Sequence, residues 1–241
     1  MRGTLLNTAA VAGGASLGML AGSNIPHELE GIALGGLGLI VAALGIKSFL
    51  QSKSILVVTA SVVFGGLAGA LLRIDPMLQN FTELVRQQLG GGAHFNEGLI
   101  GASILFCVGP MALLGCIEDG LEGKIDLLTL KSTLDGVAAF FLATALGRDG
   151  GLGVLLSALV VLVVQGALTL AARPLRPLAQ NAELMAEATA TGGILLIAIG
   201  LRLLQIKQLP VADYLPALVF APLFVLLLPR LSKSGKASAQ A

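Results

Sequence analysis

Charge is what this sequence has least of. Only 12% of its residues are Asp, Glu, Lys or Arg, where a soluble domain carries roughly 25%. Lys, Glu, Arg and Asp are the residues that stay outside and clothe a water-exposed surface. There are too few of them here to cover a soluble globule of 241 residues. Tryptophan is absent and tyrosine occurs once, so the aromatic belt that marks many membrane interfaces is missing. That leaves Lys and Arg to anchor the ends of apolar segments. The two cysteines, Cys107 and Cys116, fall in one apolar run. This excludes a disulfide framework and reads as two buried thiols. The two histidines, His27 and His94, lie in loops without partners at metal-ligand spacing. No phosphate-cradling glycine loop and no nucleophile elbow is present, so no catalytic residue, metal or cofactor is expected. A net charge of +1 gives no nucleic-acid footprint.

Hydrophobic residues make up 55% of the chain, and the mean hydropathy is +0.90. The 32 glycines are roughly twice the usual ~7%. In transmembrane helices small residues let backbones approach closely, which replaces the hydrophobic drive that lipid removes. A spanning helix needs about 20 apolar residues. Eight runs are candidates: 3–26, 31–46 (16 residues, extended by a snorkelling Lys47), 54–72, 98–117, 127–147 (with Lys131 and Asp135 inside it), 150–172, 188–206 (with Arg202) and the shorter 214–229. Unpaired backbone groups are not tolerated in lipid, so the runs are helices. They lack the apolar–polar alternation of a lipid-facing barrel. The expected fold is an all-α, polytopic transmembrane bundle of about eight spans, one domain over 1–231, with a polar, disordered tail at 232–241.

The first run has Arg2, an apolar stretch and the small residues Ala21-Gly22-Ser23, as a signal peptide has. Its length, and the recurrence of its pattern later in the chain, favour a retained span. Between the third and fourth runs, residues 75–90 differ. Asp75 can cap a helix opened by Pro76, and Met77, Leu78, Phe81, Leu84, Val85 and Leu89 share one face before Gly90-Gly91-Gly92. This predicts an amphipathic helix on the membrane surface, with a lid or partner-docking helix as the alternative. With eight spans and the N-terminus inside, ten of the fifteen Lys and Arg lie on the inner side. That matches the positive-inside rule and predicts both termini on the cytoplasmic side of the membrane.

A weak self-similarity runs through the chain. Gly3-x-Leu5-Leu6-Asn7 resembles Gly153-x-Leu155-Leu156-Ser157, Gly35-Gly36 resembles Gly192-Gly193, and Val63-Phe64 resembles Val219-Phe220, at offsets of 150, 157 and 156. The segments 3–73 and 153–228 would then be repeats. A shift of five spans inverts one against the other, as in transporters that alternate access around a midplane site.

The central helices, 98–147, hold the densest polar constellation. Pro110 falls mid-run, where it removes a helix hydrogen bond and kinks or breaks the helix. Such breaks frame ion or substrate sites or serve as packing kinks. Glu118 and Asp119 close the same run. Lys131 and Asp135 are four apart and share a face, flanked by Ser132. A single charge in lipid costs at least about 2.5–3.5 kcal/mol, so the two either form a structural ion pair or make Asp135 a cation or proton site. Together with Glu118 and Asp119 they could form an acidic vestibule, whereas Glu122 and Asp126 read as solvated loop residues. Asn7 and Gln165, uncharged polar residues inside the first and sixth runs, either bind substrate or bridge helices. Glu187, at the start of the seventh run, suits a helix dipole.

Gly109-Pro110-Met111-Ala112, Asp119-Gly120 and Lys131-Ser132-x-Leu134-Asp135-Gly136, with Gln165-Gly166-x-x-Thr169 and Gly192-Gly193, resemble the bacterial YqgA/YdfK-like membrane proteins. The resemblance runs from Gly3 to about Phe220. It implies membrane location in a family sometimes described as transporters, and it implies no substrate. The family pattern commonly has Ser and Gln where this chain has Cys116 and Glu118, which places Asp119 and Asp135 ahead of Glu118. The expectation is a transporter or channel for a small ion or solute, and not an enzyme. Its expected partners are the lipid bilayer and further copies of itself, with faces such as Gly31-x-x-x-Gly35 and Gly65-x-x-x-Gly69 packing either within the chain or between chains. The alternative is a non-transporting scaffold that binds lipid or a protein partner.

Overall fold

The computed structural model describes residues 1–22, 27–92, 94–107 and 110–227. Ser23, Gly109 and the tail 232–241 lie outside the described residues. All regular structure among the described residues is helical: α1 (Arg2–Gly22), α2 (His27–Phe49), α3 (Ile55–Leu72), α4 (Ile74–Leu89), α5 (Phe95–Cys107), α6 (Pro110–Glu122), α7 (Asp126–Ala145), α8 (Gly147–Leu170), α9 (Ala172–Gln180), α10 (Ala182–Leu203) and α11 (Ala217–Leu227), with a 3-10 turn at Val211–Tyr214.

Five of these helices, α1, α3, α7, α8 and α10, are long and apolar enough to cross a bilayer. The fourth expected span is two helices: α5 and α6 are inclined at 62° across the break before Pro110, and counted together they make a sixth. The segments Gly35–Phe49 and Val211–Leu227 are apolar but shorter.

Three local expectations need correction. Ala172–Gln180, between the sixth and seventh apolar runs, is the helix α9; its Arg and Pro residues dilute the apolar signal while its periodicity is helical. α10 starts at Ala182, where Asn181 caps it by accepting from the Glu183 and Leu184 N–H groups, so Glu187 lies inside the helix and not at its start. Asp75 likewise sits in the first turn of α4, not ahead of it. Its carboxylate accepts from the Ala212 N–H at 3.3 Å, while its own N–H donates to Asp213 at 2.8 Å.

The chain forms two compact units, Met1–Leu39 with Gln79–Arg176, and Ile40–Leu78 with Pro177–Ala241. In the first, α1 is the central element. Its buried residues Gly3, Asn7, Val11, Ala15, Gly18 and Gly22 recur every three or four positions and form one seam along the helix. A Cβ added at Gly14 would collide with the Gly136 carbonyl, one at Gly18 with the Phe140 carbonyl, and one at Gly22 with Thr144. These contacts advance together along both chains, so α1 and α7 run parallel with their backbones nearly touching. That is the close approach small residues permit in lipid. Gly147, at φ 64°, lets the chain reverse at once from α7 into α8, a left-handed conformation that costs glycine little. α8 then runs antiparallel to α1, joined by Thr4–Thr169 and Asn7–Gln165.

In the second unit α3 packs antiparallel to α11. Gly65 abuts Ala217 and Gly69 abuts Asp213, and Val57 meets Val225 and Leu184 in one cluster. The Gly65/Gly69 face is therefore used inside the chain. Gly45 and Gly193 press against each other's carbonyls, bringing α2 onto α10. On the other side of the chain's exposure, Leu17, Leu71 and Leu170 are 62%, 85% and 77% exposed. Large apolar side chains displayed this widely suit a hydrocarbon solvent.

Candidate functional site

The polar residues singled out on three separate helices meet in one buried network. The Lys131 ammonium donates to Asp135 Oδ2 at 2.6 Å, one turn along α7. Asn7 on α1 uses its amide protons for two acceptors: Asp135 Oδ2 at 2.9 Å and Gln165 Oε1 at 3.1 Å. Gln165 on α8 donates in turn to the Phe106 carbonyl at the end of α5, a long contact of 3.5 Å. Asn7 and Gln165 are completely buried, and Lys131 and Asp135 are each 7% exposed. At 1.5 Å per residue, Asn7 and Gln165 lie about 8 Å from the ends of their helices, and Asp135 about 14 Å into α7.

The presence of Phe106 follows from the sequence. Its carbonyl is four residues before Pro110, so in a continuous helix it would accept from residue 110, and proline has no N–H to give. The break leaves that carbonyl for a side chain, and Gln165 takes it. Amide orientations are fixed by the same chemistry. Turning the Asn7 amide over would set its oxygen against two acceptors, Asp135 Oδ2 and Gln165 Oε1. Nδ2 therefore faces them, and Oδ1 is left, buried, with no hydrogen bond among the described residues. A buried acceptor without a donor costs about 1–3 kcal/mol.

The other anticipated residues are placed differently. Asp119 caps α1: its carboxylate accepts from the Gly3 N–H at 3.0 Å and pairs with the Met1 amino group at 2.8 Å. A carboxylate there offsets the helix dipole. Ser132 is buried and donates to the Leu128 carbonyl of its own helix. Glu118 is half-buried and has no part in the network. Pro110 opens α6. Of the acidic vestibule, Asp135 alone enters the network.

Sequence reasoning missed two features. Thr4 and Thr169 bridge α1 and α8 beside the network at 3.0 Å; threonines read as ordinary helix residues until the partner helix is known. Glu187, fully buried in the second unit, accepts from Ser52 Oγ at 2.8 Å, Lys53 N–H at 2.7 Å and Ser54 N–H at 2.8 Å. It thereby satisfies the N–H groups of the two residues that lead into α3. Among the described residues no group of three or more His, Cys, Asp or Glu could hold a metal.

Comparison with known proteins reaches the same class. The chain is 31% identical over 229 residues to the uncharacterized membrane protein YdfK of Bacillus subtilis (strain 168), covering 93% of this chain and 96% of that one. It is 28% identical over 225 residues to the uncharacterized protein YqgA of Escherichia coli (strain K12), covering 91% and 94%. No solved structure matches it. The family model described as "Protein of unknown function (DUF554)" matches residues 2–226. This protein, a helical chain with several apolar candidate spans, belongs to the DUF554 family.

Proposed function

We propose that this chain is a transporter or channel for a small ion or solute, with its binding site at the Asn7–Lys131–Asp135–Gln165 network. The observation that carries the reading is a buried ion pair and two buried amides, joined across α1, α7 and α8 and reaching the broken α5–α6 segment. Ionisable residues inside a membrane are expensive, and where they occur they face the bundle interior, pair with one another and mark ion or substrate pathways. Broken helices whose freed carbonyls face a polar site are a recurring transporter device.

Two further features support it. The antiparallel pairs α1–α8 and α3–α11 each join a segment of 3–73 to its counterpart in 153–228, as an inverted repeat would. The parallel direction of α1 and α7, with α8 reversed, agrees with eight alternating spans. In this reading the protein lies in the bacterial cytoplasmic membrane with both termini cytoplasmic and performs no chemical step on its solute. Open space around Gly31 and Gly35 among the described residues leaves that face available for a contact between copies.

The experiment is reconstitution into proteoliposomes, with flux of protons, alkali cations and small metabolites followed under imposed gradients. Wild type dissipates at least one gradient and Asp135→Asn does not. Flux that is absent from folded wild type, or unchanged in the variant, overturns the reading. A non-transporting scaffold is favoured by one observation only. On α4 Met77, Phe81 and Leu84 are exposed along one face, while Arg86 grips Glu83 and holds that carboxyl below the usual range. A silent wild type would send attention to that surface.

A further inference from the structure

We propose that the network is a binding site for one monovalent alkali cation, with the Lys131 ammonium as its tethered, exchangeable substitute. The inference rests on the transport reading above and names the ligand class of that site.

The donor atoms decide the chemistry. Three oxygens face one another in the cluster, the Asp135 carboxylate, Gln165 Oε1 and the Phe106 carbonyl, and rotation of the Asn7 amide would add its Oδ1 as a fourth. One is charged and three are neutral, and none is nitrogen or sulfur. Hard cations take oxygen ligands of this kind, and unwound-helix carbonyls are a usual part of sodium sites in transporters. Asn7 Nδ2 stands 2.9 Å from Asp135 Oδ2 and 3.1 Å from Gln165 Oε1. Rotating the terminal amide of Asn7 turns its unpartnered Oδ1 toward those two oxygens, an arrangement that is repulsive unless a cation seated against all three offsets it.

Charge conservation sets the valence. Lys131 and Asp135 together are neutral. Adding a cation while Lys131 stays would leave a net positive charge in a low-dielectric interior, which is strongly disfavoured. Exchanging one ammonium for one monovalent ion keeps the site neutral, and a divalent ion would not. Lys131 can leave. It is one turn nearer the start of α7 than Asp135, helical side chains lean toward the N-terminus, and the lysine stem is long enough to carry the ammonium toward the interface. The oxygens thus pass between an internal cation and an external one.

The test uses full-length protein in detergent. Thermal stability is measured against LiCl, NaCl and KCl, with choline chloride at equal ionic strength as the control. At least one alkali cation raises the melting temperature of wild type, saturably, and choline does not. Lys131→Met, freed of its internal competitor, responds with an apparent Kd about tenfold lower, equivalent to about 1.4 kcal/mol. Asp135→Asn loses the response. Asn7→Ala, which keeps the ion pair, weakens it. Should Lys131→Met fail to fold, wild type and Asn7→Ala still decide the matter. An alkali response no larger than that of choline, or one retained in Asp135→Asn, overturns the proposal. Flux measured on the same preparations separates the two readings: transport that needs Asp135 without any alkali response refutes the cation site alone, and absence of transport refutes the reading beneath it.

Discussion

Removing the Lys131 ammonium should destabilise the protein, and removing Asp135 as well should restore most of the loss. The two side chains are 9% and 10% exposed, with 2.6 Å between Nζ and Oδ2. Lys131→Met strands a buried carboxylate, and breaking a buried pair from one side costs about 3–5 kcal/mol. Asn7 continues to donate to Asp135 at 2.9 Å. A bond to a charged group is worth about 1.5–3 kcal/mol, so the lower end of the range applies, near 3 kcal/mol. The double variant Lys131→Met/Asp135→Leu has no stranded charge. Its remaining defect is one amide proton of Asn7 without an acceptor, about 1 kcal/mol. The double variant should therefore be more stable than Lys131→Met by about 2 kcal/mol. For a chain of this size that is on the order of 5 °C in melting temperature. The assay is thermal denaturation in detergent by far-UV circular dichroism, in choline salts so that no alkali cation stands in for the lysine. A Lys131→Met protein as stable as wild type, or a double variant that loses the sum of the two single losses, would refute the claim that the pair is a mutually neutralising unit.

Two other substitutions probe packing and capping. Gly14→Ala should lower stability by about 1–3 kcal/mol through overpacking, because its Cβ would strike the Gly136 carbonyl, whereas the neighbouring Gly13→Ala meets open space and should be neutral or stabilising by about 0.5–1 kcal/mol; equal melting temperatures for the two would contradict the α1–α7 seam. Glu187→Ala removes the acceptor for the Lys53 and Ser54 N–H groups and should cost about 1–3 kcal/mol, read as faster amide exchange at the start of α3 than anywhere else in that helix; protection unchanged there would show that the carboxylate does not cap it.

The sequence by itself determined the solvent of this protein and the material of its fold. With 12% charged residues lipid must cover most of the surface, and lipid admits only helices or closed barrels, which satisfy every backbone group internally; runs without apolar–polar alternation leave only the helices. Lys131 and Asp135 were legible as a pair because both sit on one helix, where spacing alone sets distance. The break was legible in Pro110, as was the carbonyl it frees. Which side chain would take that carbonyl was not legible. Asn7 and Gln165 are 158 positions apart, and nothing in helical periodicity says which polar residue of one span faces which of another. Asp119 and Glu187 carry the same ambiguity. Both read as helix-end acids, and only the tertiary structure made one the cap of α1 and the other the buried cap of α3. In lipid the hydrophobic effect no longer selects partners, so helix pairing rests on close glycine contacts and a few hydrogen bonds. Those depend on the three-dimensional fit of whole surfaces, which no local pattern encodes.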